Sequence, residues 1–516
     1  MGDEAVARSS FGQSRARKIL DRLGDGDVGV IILFHPKSTK PRSRRFPLAV
    51  LSLAALLEGR EEYVIVDGNV DPDPAKTIAG LIAAHPVELL AVSVMPGPQM
   101  VAAMETCREI RRGFPDVPIV WGGYFPSIYT LATLNAPYVD FAVRGQGEET
   151  FIELLQALRG QRAFDAIRGL SYKDEKGTHR NNPERMMKSP DAFPTLPYHR
   201  LQTEKYILPT FLGRRTAVHQ ASVGCPYACN FCGVITAYGS REKMESPART
   251  ESVLRHLVDN YDVDAIQFYD NNFFLREDHA VELAERITPL KLRWWCEARI
   301  DILLSYSDKA LAAIRASGCT MIFFGAESGS DWVLREMNKG LKTEQTLELA
   351  RRIRSFGIIP EFSFVVGNPH DPERDTRECL RFIRWIKKIN PDSEIILQHY
   401  IPVPQRTGMY GNIDGQVPFP QTVEEWATEH WYNFTTRQDP VSPWLRTSTK
   451  RLIDNFELIV ASRWPTVQDI RLPEWGRYLL KSLSAWRYGL EFYGWPRELE
   501  WAQRFINLRK PKVESL

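Results

Sequence analysis

The sequence predicts an α/β protein: a doubly wound parallel-sheet domain, a second domain of six β/α units, and a helical C-terminal region. Three observations predict it. Near-continuous Val/Ile/Leu runs alternate with amphipathic stretches twice along the chain, as expected of parallel strands covered on both faces. Between the two series, prolines at 183, 190, 194, 197 and 209 punctuate a linker. After about residue 411 the strand signal stops, and apolar residues recur at helical spacing among eight tryptophans.

The chain of 516 residues is long enough for two or three domains with real cores. A net charge of +2 with 25% charged residues gives no global field calling for nucleic acid or an anionic membrane. The N-terminus lacks the basic-then-apolar pattern of a signal peptide. No run approaches ~18 consecutive apolar residues, so no transmembrane helix is expected. Seven cysteines are present; Cys107, Cys296, Cys319 and Cys379 stand singly in apolar surroundings and read as small core residues. That usage fits a reducing, cytoplasmic location.

Residues 1–27 read as a polar lead-in, and 28–160 as the doubly wound domain. Its strands are 28–34, 63–67, 87–94, 117–121 and 141–144, with helices such as 73–85 and 98–112 between them. In such sheets ligands meet the carboxyl ends of the strands. The loops there are 35–45, 93–97 (S-V-M-P-G), 122–127 (G-G-Y-F-P-S) and 144–149 (R-G-Q-G-E-E). Glycines in them let a ligand approach the backbone and open anion-favouring helix N-termini. The basic run Lys37, Lys40, Arg42, Arg44 and Arg45 reads either as a solvated loop or as a contact for an anionic ligand.

Residues 161–214 form the linker, with a small hairpin at 170–179. Residues 215–410 form the second domain, with strands at 218–223, 265–270, 293–298, 320–325, 360–367 and 394–400. Helices are expected at 249–260, 278–287, 308–317, 343–356 and 374–389. Function in parallel barrels gathers at the carboxyl ends of strands. Polar residues recur there: Asp270, Asn271 and Asn272; Glu297 and Arg299; Glu327 and Ser328; Asn368; Gln398. Residues 411–516 form the Trp-rich helical region, with helices at 449–463 and 475–493. It reads as packing for the barrel, as a lid for a large or greasy substrate, or as a surface against a membrane.

Cys225, Cys229 and Cys232 follow the first strand of the second domain in a C-x3-C-x2-C spacing. Thiolates this close suit a metal or an iron–sulfur cluster better than disulfides. Three ligands on a [4Fe–4S] cube leave one iron open. A zinc knuckle with a distant fourth ligand, or three core cysteines, are the alternatives. With Phe231 just before the last cysteine, the motif resembles the radical SAM superfamily, and the six β/α units resemble its partial (β/α)6, TIM-like barrel.

The resemblance implies that the cluster reductively cleaves S-adenosylmethionine to methionine and a 5′-deoxyadenosyl radical. It places the methionine amine against Asp270, Asn271 and Asn272, and the carboxylate against Arg299. Glu327 and Ser328 would meet the methionine or ribose end. Gly367 and Asn368 would lie near adenine with Phe231, and Gln398 would join the same site. The segment 402–410 departs from the family's P-x-P-G-T, with Gln405-Arg406 in its place.

The first domain, with W-G-G-Y-x-P and R-G-x-G-E-E, resembles the Rossmann-like cobalamin-binding domain of cobalamin-dependent radical SAM enzymes. The resemblance implies that Ser93, Gly97, Gly122, Gly123, Tyr124, Gly145, Gly147 and Glu148 hold the corrinoid. The D-x-H-x-x-G motif that supplies a histidine to cobalt is absent; His35 reads as a loop histidine, implying cobalamin without a histidine lower ligand. The expected activity is methylation of an unactivated carbon of a small molecule, with a second S-adenosylmethionine remethylating the cobalt. Oxidative cyclisation or ring rearrangement, as in the anaerobic Mg-protoporphyrin monomethyl ester cyclase, is the alternative; a non-catalytic cobalamin- or cluster-binding sensor is another. The partners expected are a small-molecule substrate and a reductase such as flavodoxin or ferredoxin, without nucleic acid.

Overall fold

A computed structural model describes residues 29–174, 176–403, 417–436, 442, 444–469 and 472–504. Its first sheet holds β1 (Val30–His35), β2 (Tyr63–Asp67), β3 (Val87–Ser93), β4 (Ile119–Gly122), β5 (Phe141–Val143), β6 (Leu170–Lys173) and β7 (His179–Asn181). The order is β2-β1-β3-β4-β5-β6-β7, with β1 to β5 parallel. Each core strand is apolar on both faces because helices cover both: Leu33, Ala91 and Val120 face one side, Ile32, Leu90 and Ile119 the other. The hairpin expected in the linker is β6–β7. It does not stand free but pairs antiparallel with β5 and extends this sheet, because Leu170 is drawn into the core with Phe141 and Phe164.

The second sheet holds β8 (Thr216–His219), β11 (Ala265–Phe268), β12 (Arg293–Ala298), β13 (Cys319–Glu327), β14 (Ile359–Val366) and β15 (Glu394–His399). All six are parallel, in the order β15-β14-β13-β12-β11-β8. This is the expected partial barrel. The run read as one strand at 218–223 is divided: β8 ends at His219, and β9 (Ser222–Cys225) leaves the barrel to pair antiparallel with β10 (Arg241–Met244). Gly224 makes the departure possible. It sits at φ +85°, and a Cβ there would fall 2.2 Å from the Arg241 carbonyl oxygen.

The C-terminal region serves both sheets. Val423, Trp426 and Phe434 complete the first domain's core beside Trp121, Phe125 and Tyr138. The helix Thr447–Arg463 packs Ile453, Phe456 and Val460 into the barrel's core instead. The helices Glu474–Gly489 and Arg497–Gln503 form a small cluster with Ile459 of that helix, and Trp475, Trp486, Trp495 and Trp501 stay exposed. Among the described residues no helix is long and apolar enough to cross a membrane. The N-terminal lead-in, the segment containing Gln405 and Arg406, and the basic tail at 509–512 lie outside the described residues.

Candidate active site

β9 delivers Cys225 at its end, and the chain turns through Cys229 to Cys232, which precedes the helix Gly233–Tyr238. None of the three is in a disulfide. Burial pushes the Cys225 and Cys232 thiols up, Cys232 to about 11, and each is raised further by the charge of Cys229. Three thiolates in mutual repulsion are a site waiting for a cation to hold them deprotonated. Among the described residues no three ligands are gathered tightly enough to chelate a single ion. A cluster, whose ligands sit on separate irons, asks for wider spacing.

A second loop clamps this one. The Asn338 amide donates to the Ala228 carbonyl at 2.8 Å, and Asn230 donates from its backbone to Met337 at 3.1 Å and from its side chain to Glu336 at 3.1 Å. Arg299 lies over the Tyr227 ring at 3.7 Å, donates to Asp301 and to the Lys339 carbonyl, and places Nη1 3.6 Å from the Cys229 sulfur. It brings a fixed positive charge to the thiolates.

The strand ends of the barrel divide into free and engaged groups. Glu327 stands at φ +61° and receives Lys339 Nζ at 2.6 Å. Gly325 makes room for that pair, since its Cβ would fall 2.1 Å from Glu327 Oε1. Ser328, Gly367 and Asn368 all turn to the buried Asp375: the Ser328 hydroxyl donates at 3.1 Å, the backbone amides of Gly367 and Asn368 at 3.0 and 3.1 Å, and the Asn368 side chain at 2.8 Å. Those residues shape the strand ends through Asp375. Asp270 is buried, accepts from the Ala221 amide at 3.3 Å with Oδ2, and leaves Oδ1 without a partner; burial raises it to about 6. Asn272 is buried with neither amide atom paired. Asn271 is exposed and Gln398 partly buried. Burial, with Glu361 and Asp270 nearby, pushes Glu297 to about 8. Unpaired donors, acceptors and acids at these strand ends suit a polar cationic ligand such as S-adenosylmethionine.

The loops of the first domain enclose a cavity of about 220 Å³. Ser93, Gly122, Gly123, Gly145, Gly147 and Glu148 line it, over a floor of Leu33, Val50, Val120 and Phe151. Gly97 and Tyr124 stand outside it. A Cβ on Gly97 would fall 3.3 Å from the Thr436 methyl, and Tyr124 reaches the cluster loop, where a Cβ on Gly233 would fall 1.7 Å from its hydroxyl. Its apolar floor suits the flat aromatic end of a corrinoid's nucleotide tail, and the bare glycine backbone leaves room for the tail's approach. His35, expected in a loop, is instead the last residue of β1, paired with Asp67 of β2; it is partly buried and its Nδ1 meets Gln99 Nε2 at 3.1 Å. In the basic loop, Arg44 is committed to the Asn69 carbonyl and Arg45 to the Tyr269 hydroxyl.

Sequence reasoning missed Asp375, Lys339, Asn338, Glu242 and the pair His219–Glu245. Asp375 sits in the first turn of a helix and Asn338 in a loop, positions where acids and amides are ordinary. A stronger signal stood at His219, a histidine ending a barrel strand.

Comparison with known proteins agrees with this geometry. Residues 39–155 match the B12 binding domain, and residues 220–383 match the radical SAM superfamily. The protein is a radical SAM enzyme. Along the chain a B12-binding match thus precedes a radical SAM match. It is 28% identical to an uncharacterized methyltransferase of Pyrococcus horikoshii over 66% of this chain and 73% of that one. It is 24% identical to the anaerobic magnesium-protoporphyrin IX monomethyl ester cyclase of Synechocystis sp., over 79% and 81%. The fold matches TsrM from Kitasatospora setae, solved with cobalamin and a [4Fe-4S] cluster, at a TM-score of 0.66, 19% identity, and coverage of 93% and 99%. It also matches OxsB, solved with aqua-cobalamin and S-adenosylmethionine, at 0.60, 20% identity, and coverage of 77% and 56%.

Proposed function

We propose that this enzyme methylates an unactivated carbon of a small molecule, using a [4Fe–4S] cluster on Cys225, Cys229 and Cys232, S-adenosylmethionine, and cobalamin. The observation that carries the reading is the shared seam: one cavity is walled by Gly122, Gly145 and Glu148 of the first domain and by His219, Val223 and Tyr238 beside the cluster loop. When bound, the cluster supplies the electron that cleaves S-adenosylmethionine and the corrinoid supplies a methyl group. The chain's own residues position and exclude water. Arg299 balances the thiolates' charge and faces the methionine carboxylate. Asp270 and Asn272 offer the amine an acceptor, and Glu327, held by Lys339, bounds the ribose end. Phe231, below Lys339 at 6.0 Å, offers adenine an apolar face.

On this reading the corrinoid would be held without a histidine on cobalt, and the contact of His35 with Gln99 supports it. The electron donor is a small reductase of the flavodoxin or ferredoxin kind. A second reading, radical cyclisation, is favoured by the long match to the cyclase. Anaerobic reconstitution with S-adenosylmethionine carrying a labelled methyl group separates them. Label in product supports methylation, 5′-deoxyadenosine with unlabelled product supports cyclisation, and neither label in product nor 5′-deoxyadenosine leaves only a sensor. In the cobalt(II) state the reconstituted protein is expected to show no histidine nitrogen splitting in its electron paramagnetic resonance spectrum.

A further inference from the structure

The barrel's share of the wall of the 220 Å³ cavity contains a charged group that the chemistry above does not use. His219 ends β8, is 2% exposed, and lines the cavity together with Glu245 and Arg249. Its Nε2 lies 2.9 Å from Glu245 Oε2. The same carboxylate accepts from the Thr250 hydroxyl at 2.9 Å and from Arg249 Nε at 3.1 Å, so it is fully engaged and stays ionised. Although burial opposes it, the Glu245 charge holds His219 above the ordinary histidine range, and Asp270 adds to that hold. An imidazolium with Nε2–H given to Glu245 has one remaining donor, Nδ1–H. That nitrogen has no hydrogen-bond partner. A buried donor without an acceptor marks a place where a ligand supplies one.

The opposite wall narrows the choice of ligand. Leu33, Val50, Val120, Val143 and Phe151 accept a flat aromatic ring but cannot tell a nitrogen heterocycle from a phenol. Resting on the corrinoid reading above, we propose that His219 reads the lower base of the corrinoid. Nδ1–H donates to the imine nitrogen of an azole base, such as dimethylbenzimidazole, lodged in this cavity. That nitrogen is free to accept only when the base is off the cobalt. The barrel thereby selects azole corrinoids, and a phenolic lower base leaves the His219 donor unpaired.

Equilibrium binding of three corrinoids to the full-length, cluster-loaded enzyme tests this: cobalamin, a cobamide with a phenolic lower base, and cobinamide, which has no base. Wild type is expected to bind cobalamin roughly tenfold tighter than the phenolic cobamide, the size of one hydrogen bond from a charged donor. His219→Phe should lose that preference by weakening cobalamin alone, whereas His219→Gln, which keeps a donor, should retain part of it. Iron content and S-adenosylmethionine cleavage measured beside the binding verify that the variants fold. Equal wild-type affinity for cobalamin and the phenolic cobamide would overturn the inference. So would a His219→Phe loss shared by both cobamides, which would place the contact on the ribose or phosphate. If wild type binds none of the three, the corrinoid reading itself falls.

Discussion

Buried acids at the barrel's strand ends and on the β9–β10 ribbon beside them set a pH dependence that belongs to single residues. Burial, with Asp270 close by, raises Glu242 to about 8, and burial with Glu361, Asp270 and Glu327 raises Glu297 to about 8. An acid whose folded pKa lies above its unfolded value keeps its proton in the native state after the unfolded chain has released it. Its favourable contribution is therefore full below about pH 4.5 and is lost as pH climbs to about 8. The loss is on the order of a few kcal/mol per residue. The cluster-free protein should melt at a lower temperature at pH 8.5 than at pH 6, and Glu297→Gln should flatten that dependence in thermal unfolding. Because S-adenosylmethionine is a cation, its binding should draw these carboxyls toward ionisation and release protons, seen as buffer-dependent heats in calorimetry. A stability that rises across this window would mean the acids are paired.

Elements rather than residues hold the cysteine loop in place. The loop has no secondary structure of its own between β9 and the helix Gly233–Tyr238, and it is tied to residues 336–338 through Asn230 and Asn338. Asn338 sits at φ +48°, so Asn338→Gly keeps the backbone conformation and removes only the amide donor. The loss of one hydrogen bond is worth about 1 kcal/mol. Iron should leave the variant faster under chelator challenge, with the thermal midpoint nearly unchanged; unchanged iron release would move the support elsewhere. This clamp also marks where the sequence stopped being legible. The strands and helices of both sheets could be read because apolar runs and amphipathic periods are local, and β2 and β12 fall within the residues expected. The cysteine spacing was legible for the same reason. Asp375 gathering Ser328, Gly367 and Asn368, and Asn338 holding Ala228, are pairings across 7 to 110 positions that no local pattern announces. The hairpin's place on the first sheet was hidden likewise, since only tertiary packing draws Leu170 beside Phe141.

Across the whole molecule, the two sheets are joined by contacts that run from the C-terminal strap to the cluster. Trp426 is fully buried against the first domain, edge-on to Phe125 at 6.0 Å and 4.4 Å from Tyr129. Phe125 follows Tyr124 in the short helix Tyr124–Ile128, and the Tyr124 hydroxyl lies where a side chain on Gly233 would begin. The strap therefore holds the helix that both closes the corrinoid loops and abuts the third cysteine's neighbour. Removing a buried tryptophan this large should cost about 3–5 kcal/mol and leave a hole beside Phe125. The barrel's own core, with Ile453 and Phe456 of the helix Thr447–Arg463, does not include Trp426. Trp426→Ala should thus lower corrinoid occupancy and the first unfolding transition while iron content and reductive S-adenosylmethionine cleavage persist. Corrinoid absorbance, iron assay and 5′-deoxyadenosine yield on one preparation measure all three. Loss of cleavage in parallel with corrinoid would mean that the strap's hold passes through Tyr124 into the cluster loop, making the seam a single mechanical unit.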